Sequence, residues 1–169
     1  MSTEQCLVII KPDGLVKSLT GNIISMLSET KLKIVGAKIL KVPKELAEKH
    51  YSELKIKKPH VFEETINYIT GKYHTDRVLA LVYHGENAIE KIRTIVGPTN
   101  PEDADFVTIR GKYGRIHSKT KVMENVVHAS DTLENAKKEI TLWFSPSELA
   151  EIIYPTKTLK QEVENVVWG

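Results

Sequence analysis

The sequence predicts an α/β sandwich in a single domain, a four-stranded antiparallel sheet covered by helices. Three observations lead there. Short apolar, β-rich runs alternate with segments whose apolar residues recur at helical spacing. Their order, β-α-β-α-α-β-α-β-α, contains two β-α-β units. The 169 residues, 41% hydrophobic and 27% charged, suffice for one core, since a chain of this size hides roughly 70% of its unfolded surface.

The elements follow in order. Gln5 to Ile10 is an apolar run that reads as a buried strand, closed by Lys11-Pro12-Asp13-Gly14, so a lysine stands at a strand exit. From Thr20, Ile23, Ile24 and Leu27 space out as an amphipathic helix. Leu32 to Val42, with β-branched residues between Lys33, Lys38 and Lys41, reads as a strand. Pro43 fits the first position of a helix reaching about Leu54. Lys55, Lys57 and Lys58 follow as a solvated basic stretch, and Val61 to Ile69 reads as a further helix. Arg77 to Tyr83 is a buried strand. Asn87 and Glu90 form a capping pair for a helix with Ile89, Ile92 and Val96 on one face, ending near Gly97. Gly97 to Glu124 lacks periodicity for nearly thirty residues, a length typical of a functional loop. Asn125 to Val127 reads as a short strand, with Asn125 and Val127 on one face and His128 at its end beside unpaired amides. Asp131 and Glu134 pair as caps for a helix carrying Leu133, Ala136, Ile140 and Trp143, and Ser145-Pro146-Ser147-Glu148 starts one more. With helices expected over one face of the sheet, this is a ferredoxin-like sandwich. The polar tail after Pro155 is expected to be ordered only by packing on the body or on a neighbouring subunit.

Composition narrows the function. No apolar run approaches the eighteen or so residues of a membrane span, and the run from Cys6 stops at Lys11, so neither a membrane segment nor a secretion signal is expected. A lone cysteine, Cys6, reads as a small buried hydrophobe in a reducing, cytoplasmic setting. A net charge of +2 implies no polyanion partner by itself.

Charge is local instead. Arg110 to Lys121 holds five lysines or arginines, His117 and no acid, a composition suited to phosphate, to nucleic acid or simply to water. It leads into Asn125-Val126-Val127-His128-Ala129-Ser130-Asp131. A neutral imidazole is a nucleophile near neutral pH when a carboxylate fixes its ring, and Glu139 is the candidate. No two histidines have metal-ligand spacing, Ser130 lacks a nucleophile elbow, and neither a Gly-Lys-Ser/Thr loop nor Gly-x-Gly-x-x-Gly occurs. Any phosphates must therefore be held by side chains.

These residues resemble the nucleoside diphosphate kinase family. The segment Asn125 to Asp131 is similar to its Asn-x-x-His-Gly-Ser-Asp signature. Lys11-Pro12-Asp13-Gly14, His50-Tyr51, Gly97-Pro98-Thr99-Asn100-Pro101, Thr108-Ile109-Arg110-Gly111 and Glu139-Ile140-Thr141-Leu142-Trp143-Phe144 resemble further family motifs, in family order, from Gln5 to about Ile153. The resemblance implies one kinase-like domain over 1–169 that passes the terminal phosphoryl of a nucleoside triphosphate to a nucleoside diphosphate by ping-pong transfer through His128. It implies that Lys11, Arg93, Thr99 and Arg110 contact phosphates and Asn125 the sugar and phosphate region. Tyr51 and Asn125 would shape the site, Ser130 and Glu139 would support His128, and Phe62 would stack on the base. Mg2+ would be held mainly by nucleotide and water rather than by protein ligands. A homo-oligomer, hexamer or tetramer, with Pro101 in a contact loop, is implied, with no membrane and no obligatory nucleic acid.

The chain departs from the family at Val107 and Ala129, where glycine is usual, at His60-Val61-Phe62, where a Phe-Phe pair is usual, and in a longer segment between Tyr113 and Asn125. The competing reading is a non-catalytic oligomeric scaffold or a single-stranded nucleic-acid binder acting through Lys112, Arg115, Lys119 and Lys121.

Overall fold

A computed structural model describes residues 3–160 of the chain. β1 (Thr3–Ile10) runs through its middle, and Cys6 to Ile10 are all buried. Successive side chains of a strand leave on opposite faces, so a run that is apolar at every position must be covered on both sides. α1 (Pro12–Val16) follows at once, a helical turn where the sequence suggests only a strand stop. α2 (Thr20–Ser28) then leads to β2 (Lys33–Lys41). The helix expected from Pro43 is two helices, α3 (Lys44–His50) and α4 (Ser52–Lys57), broken at Tyr51. Pro43 is the extended cap before α3, not its first residue. α5 (Pro59–Ile69), β3 (Arg77–Glu86) and α6 (Ala88–Val96) complete the first half.

The aperiodic stretch after Gly97 is structured. It contains a 3-10 turn at Pro101–Asp103, α7 (Ile109–Tyr113), and a hairpin of β4 (Arg115–Ile116) with β5 (Met123–Glu124). Pieces of five residues or fewer are too short to show an apolar repeat, which is why periodicity misses them. β6 (Val127–Ala129) and α8 (Leu133–Trp143) follow, then a 3-10 turn at Pro146–Glu148 in place of the expected last helix. The tail expectation lies, beyond residue 160, outside the described residues.

The sheet order is β2-β3-β1-β6, antiparallel throughout. On one face Cys6, Val8 and Ile10 share a core with Ile23 and Leu27 of α2 and Ile92 and Val96 of α6. On the other, Leu7 and Ile9 share one with Ala47 of α3, Phe62 and Ile66 of α5, and Ile140 and Trp143 of α8. Helices thus cover both faces rather than the one expected. Two caps also differ from expectation. Asn87 is left-handed at φ 51° and makes no side-chain cap, and the Ile89 N–H donates to Glu4 Oε2 at 3.2 Å. Thr132 rather than Asp131 caps α8, accepting from the Asn135 N–H. Among the described residues no helix is long and apolar enough to cross a membrane.

Candidate active site

Sheet order puts the exit of β1 beside the entry to β6. Ile10 pairs with Val127 and Ile9 with His128, and the Lys11 N–H donates to the Val126 carbonyl at 2.9 Å. His128 therefore lies within a strand, not at its end, and Asn125 lies before the strand rather than in it. The neighbouring amide is also taken, since the Ser130 N–H donates to the Leu7 carbonyl.

Val126 makes the turn between Asn125 and the strand. It sits at φ 56°, a left-handed conformation that a β-branched residue adopts only under strong constraint. The constraint is visible: the Val126 N–H donates to Asp13 Oδ2 at 3.2 Å, and the buried Asp13 carboxylate also accepts from the Tyr68 hydroxyl. Gly14 closes the same corner, where a Cβ would lie 2.9 Å from Ile10 Cγ2 and 3.2 Å from the Val126 carbonyl oxygen. The turn sends Asn125 back to Lys11, whose Nζ donates to Asn125 Oδ1 at 2.7 Å, while Asn125 Nδ2 donates to the Thr99 carbonyl at 2.8 Å. Burial, helped by Arg110, lowers the Lys11 ammonium to about 8.

Arg110 arrives from α7, whose start is capped by Thr108 accepting from the Gly111 N–H. Its Nη1 donates to the Gly97 carbonyl and its Nη2 to the Val127 carbonyl, both at 2.9 Å, leaving Nε buried without a partner. Burial and the nearby Arg93 lower this guanidinium to about 10. Lys11 and Arg110, both buried and so partly stripped of water, with Arg93 beside Arg110, are cations suited to holding an anion.

His128 is the nitrogen base at the centre. Its side chain is 18% exposed, and Nε2 lies 3.1 Å from Glu139 Oε1, off the N–H axis and short of a hydrogen bond. The other oxygen, Oε2, accepts from Ser130 Oγ at 2.6 Å, and Ser130 Oγ accepts from the Leu7 N–H at 3.0 Å. Strand β1 thereby holds Ser130, Ser130 holds Glu139, and Glu139 faces His128. His50, at the end of α3, stacks edge-on to His128 with ring centroids 4.5 Å apart, and its Nδ1 accepts from Trp143 Nε1 at 3.1 Å. The Tyr51 hydroxyl is buried without a partner, and burial followed by the Glu139 charge holds it well above the usual phenol range.

These groups line one cleft of about 270 Å³. Of the residues singled out from sequence, Lys11, Arg93 and Arg110 give it positive charge, Tyr51, Thr99 and Asn125 line it, and His128 lies against Glu139 in its wall. Ser130 lies buried behind. Phe62 does not take part: it is 3% exposed in the core under α5, which leaves no ring face for a base. Lys112 of α7 and the hairpin residues Arg115, Lys119 and Lys121 lie outside the cleft, and Arg115 is engaged by Glu124 at 2.7 Å. Sequence reasoning missed Asp13 and Tyr68 behind the strained turn. It also missed the meeting of His50 with His128 and Glu139, whose ligating atoms lie within 4.8 Å of one another although the histidines have no metal-type spacing in sequence. Asp13 and His50 were quoted within motifs, but nothing local gives their partners.

A family model described as nucleoside diphosphate kinase matches residues 4–149. A nucleoside diphosphate kinase of Staphylococcus epidermidis is 42% identical over 152 residues, 90% of this chain and 95% of the relative. One of Pyrococcus horikoshii is 46% identical over 153 residues, 90% and 91%. Among solved structures, a transition-state mimic of nucleoside-diphosphate kinase from Borrelia burgdorferi with bound vanadate and ADP superposes with a TM-score of 0.79 at 32% identity, covering 91% of this chain and 93% of that one. The Aquifex aeolicus nucleoside diphosphate kinase gives 0.76 at 31% identity, covering 88% and 99%.

Proposed function

The chain belongs to the nucleoside diphosphate kinase family and is a nucleoside-diphosphate kinase; from that premise we propose that it works in two half-reactions through a phosphohistidine at His128. The observation that carries this reading is the orientation of His128. Its Nε2 is buried against Glu139, which leaves Nδ1 as the nitrogen available to the cleft. The Nδ1 lone pair attacks the terminal phosphorus of a nucleoside triphosphate, the bond to the bridging oxygen breaks, and the electron pair leaves with the diphosphate. In the second half, a terminal oxygen of another nucleoside diphosphate attacks the phosphorus and the P–N pair returns to Nδ1. Glu139, held by Ser130, sets a carboxylate 3.1 Å from Nε2 and offsets the charge that the ring gains.

Lys11, Arg93 and Arg110 hold phosphate oxygens in this reading, with Thr99 and Asn125 beside the phosphate and sugar and Tyr51 shaping the wall. Phosphoryl transfer asks for positioning and charge neutralisation more than for covalent help. With Phe62 buried, recognition rests on phosphates and sugar, so base identity matters little. Magnesium fits as a companion of the nucleotide. Among the described residues, the group of potential ligands close enough to share an ion is His50, His128 and Glu139, whose two imidazoles are poor partners for an ion that prefers oxygen and water. Bound together with nucleotide, Mg2+ would supply further positive charge at the phosphates that Lys11, Arg93 and Arg110 are placed to hold. The active form is a homo-oligomer, hexamer or tetramer.

The deciding experiment incubates the protein with magnesium and terminally labelled ATP, then chases with a different nucleoside diphosphate. Acid-labile, alkali-stable label on the protein, passing to the second nucleotide and absent from His128→Ala, is the expected result. Transfer without a labelled protein would exclude the phosphohistidine route.

A further inference from the structure

Trp143 Nε1 donates to His50 Nδ1 at 3.1 Å. An indole N–H can only donate, so His50 Nδ1 must present its lone pair, and the hydrogen of the neutral ring belongs on Nε2. A doubly protonated ring would set an N–H against an N–H. The other groups around the ring act in the same direction: burial, then His128, Lys11 and Lys138, hold His50 well below its usual range. Nε2 has no hydrogen-bond partner among the described residues, and His50 lines the cleft beside His128.

We propose that His50 is a tautomer-locked donor whose Nε2–H binds the phosphoryl group carried on His128, and that Trp143 sets the lock. The inference rests on His128 being the phosphorylated residue. The lock has a second consequence. His50, His128 and Glu139 make a two-histidine, one-carboxylate set with ligating atoms within 4.8 Å of one another, the donor set of many zinc centres. Zinc needs a lone pair on the ligating nitrogen and tolerates a hydrogen only on the other one. Trp143 imposes the reverse on His50: its lone pair is committed to the indole, and its cleft-side nitrogen is protonated. A transition metal that would block the nucleophile is thereby denied its third ligand.

Long-range 1H–15N correlation on the labelled wild-type protein tests the lock without any substitution. Protonated Nε2 and bare Nδ1 across the neutral range are expected, and the opposite tautomer or a charged ring overturns the proposal. Glutamine can accept from Trp143 with its oxygen and donate into the cleft with its nitrogen, whereas leucine can do neither. His50→Leu should therefore be phosphorylated by labelled ATP about tenfold or more slowly than His50→Gln, and equal rates contradict the donor role. Trp143→Phe should bind zinc, by calorimetry in metal-free buffer, about 10- to 100-fold more tightly than wild type. Equal zinc affinity contradicts the lock. If Trp143→Phe does not fold, the tautomer and the His50 pair still decide. Wild type that shows the expected tautomer but takes no label on His128 would sink the phosphohistidine and leave the lock standing.

Discussion

Lys11 carries a cost that its chemistry uses. Burial, with Arg110 beside it, lowers the 8% exposed Lys11 ammonium from 10.5 to about 8, so its charge is lost at a lower pH than that of a free lysine. With the folded value below the unfolded one, the unfolded chain binds the extra proton between about 8 and 10.5. This group therefore makes stability rise with pH across that window, while the phosphate clamp weakens. We expect kcat/KM for nucleotide to fall above pH 8 with an apparent value near that of Lys11, and the limb to vanish, at a lower plateau, in Lys11→Gln. A profile shared by wild type and Lys11→Gln would assign the limb elsewhere. At this scale the sequence singled out Lys11, Arg110, Asn125 and His128, which the fold gathers in one cleft, because a motif records which residue types stand together along the chain. It misled on Phe62, since whether an aromatic ring faces the cleft or the core depends on how α5 rolls onto the sheet.

The hairpin β4–β5 shows what an unpatterned segment can do. Glu124, 2% exposed by side chain, faces Arg115 at 2.7 Å, His74 at 2.7 Å and Lys17 at 3.4 Å. Burial alone would raise this carboxyl, but the hydrogen bonds from Arg115 and His74, with the charge of Lys17, hold it down at about 2. The carboxylate ties the hairpin to α1 and to the loop before β3, one residue ahead of Asn125. Glu124→Gln should cost about 1–3 kcal/mol of stability at neutral pH. A depressed carboxylate contributes fully above its unfolded value of 4.5 and progressively less as pH falls towards 2. The gap between wild type and Glu124→Gln in urea unfolding should therefore narrow in acid, and a constant gap would rule out the charge as its source. None of these four partners is near another in the sequence except Arg115 and Glu124, so the basic count before Asn125 looked like a ligand patch when part of it serves an internal ion pair.

The molecule as a whole leaves Ile34 and Ile39 exposed on the edge strand β2 and Phe106 and Val107 exposed before α7. Apolar side chains on a sheet edge that pairs only locally, where Gly36 bridges to Leu149 and the Ala150 N–H donates to the Val35 carbonyl, and on a loop are the surfaces that self-association covers. Light scattering should return a hexamer or tetramer of the 19.1 kDa chain, and a monomer at assay concentration would remove assembly from the proposed function.

The order of the four sheet strands and of the longer helices between them, and the residue types gathered in the cleft, came from the sequence alone, because strand runs, helical spacing and short motifs are written in neighbouring residues. The uninterrupted run Cys6 to Ile10 even held the reason for helices on both faces. Only the tertiary structure decided that Lys11 meets Asn125 across 114 positions and that Trp143 meets His50 across 93. The first follows from the order β2-β3-β1-β6, which sets the exit of β1 beside the entry to β6, and the second from α3 and α8 sharing the core on one face of the sheet. No local signal encodes the partner of a side chain that must first be carried there by the fold.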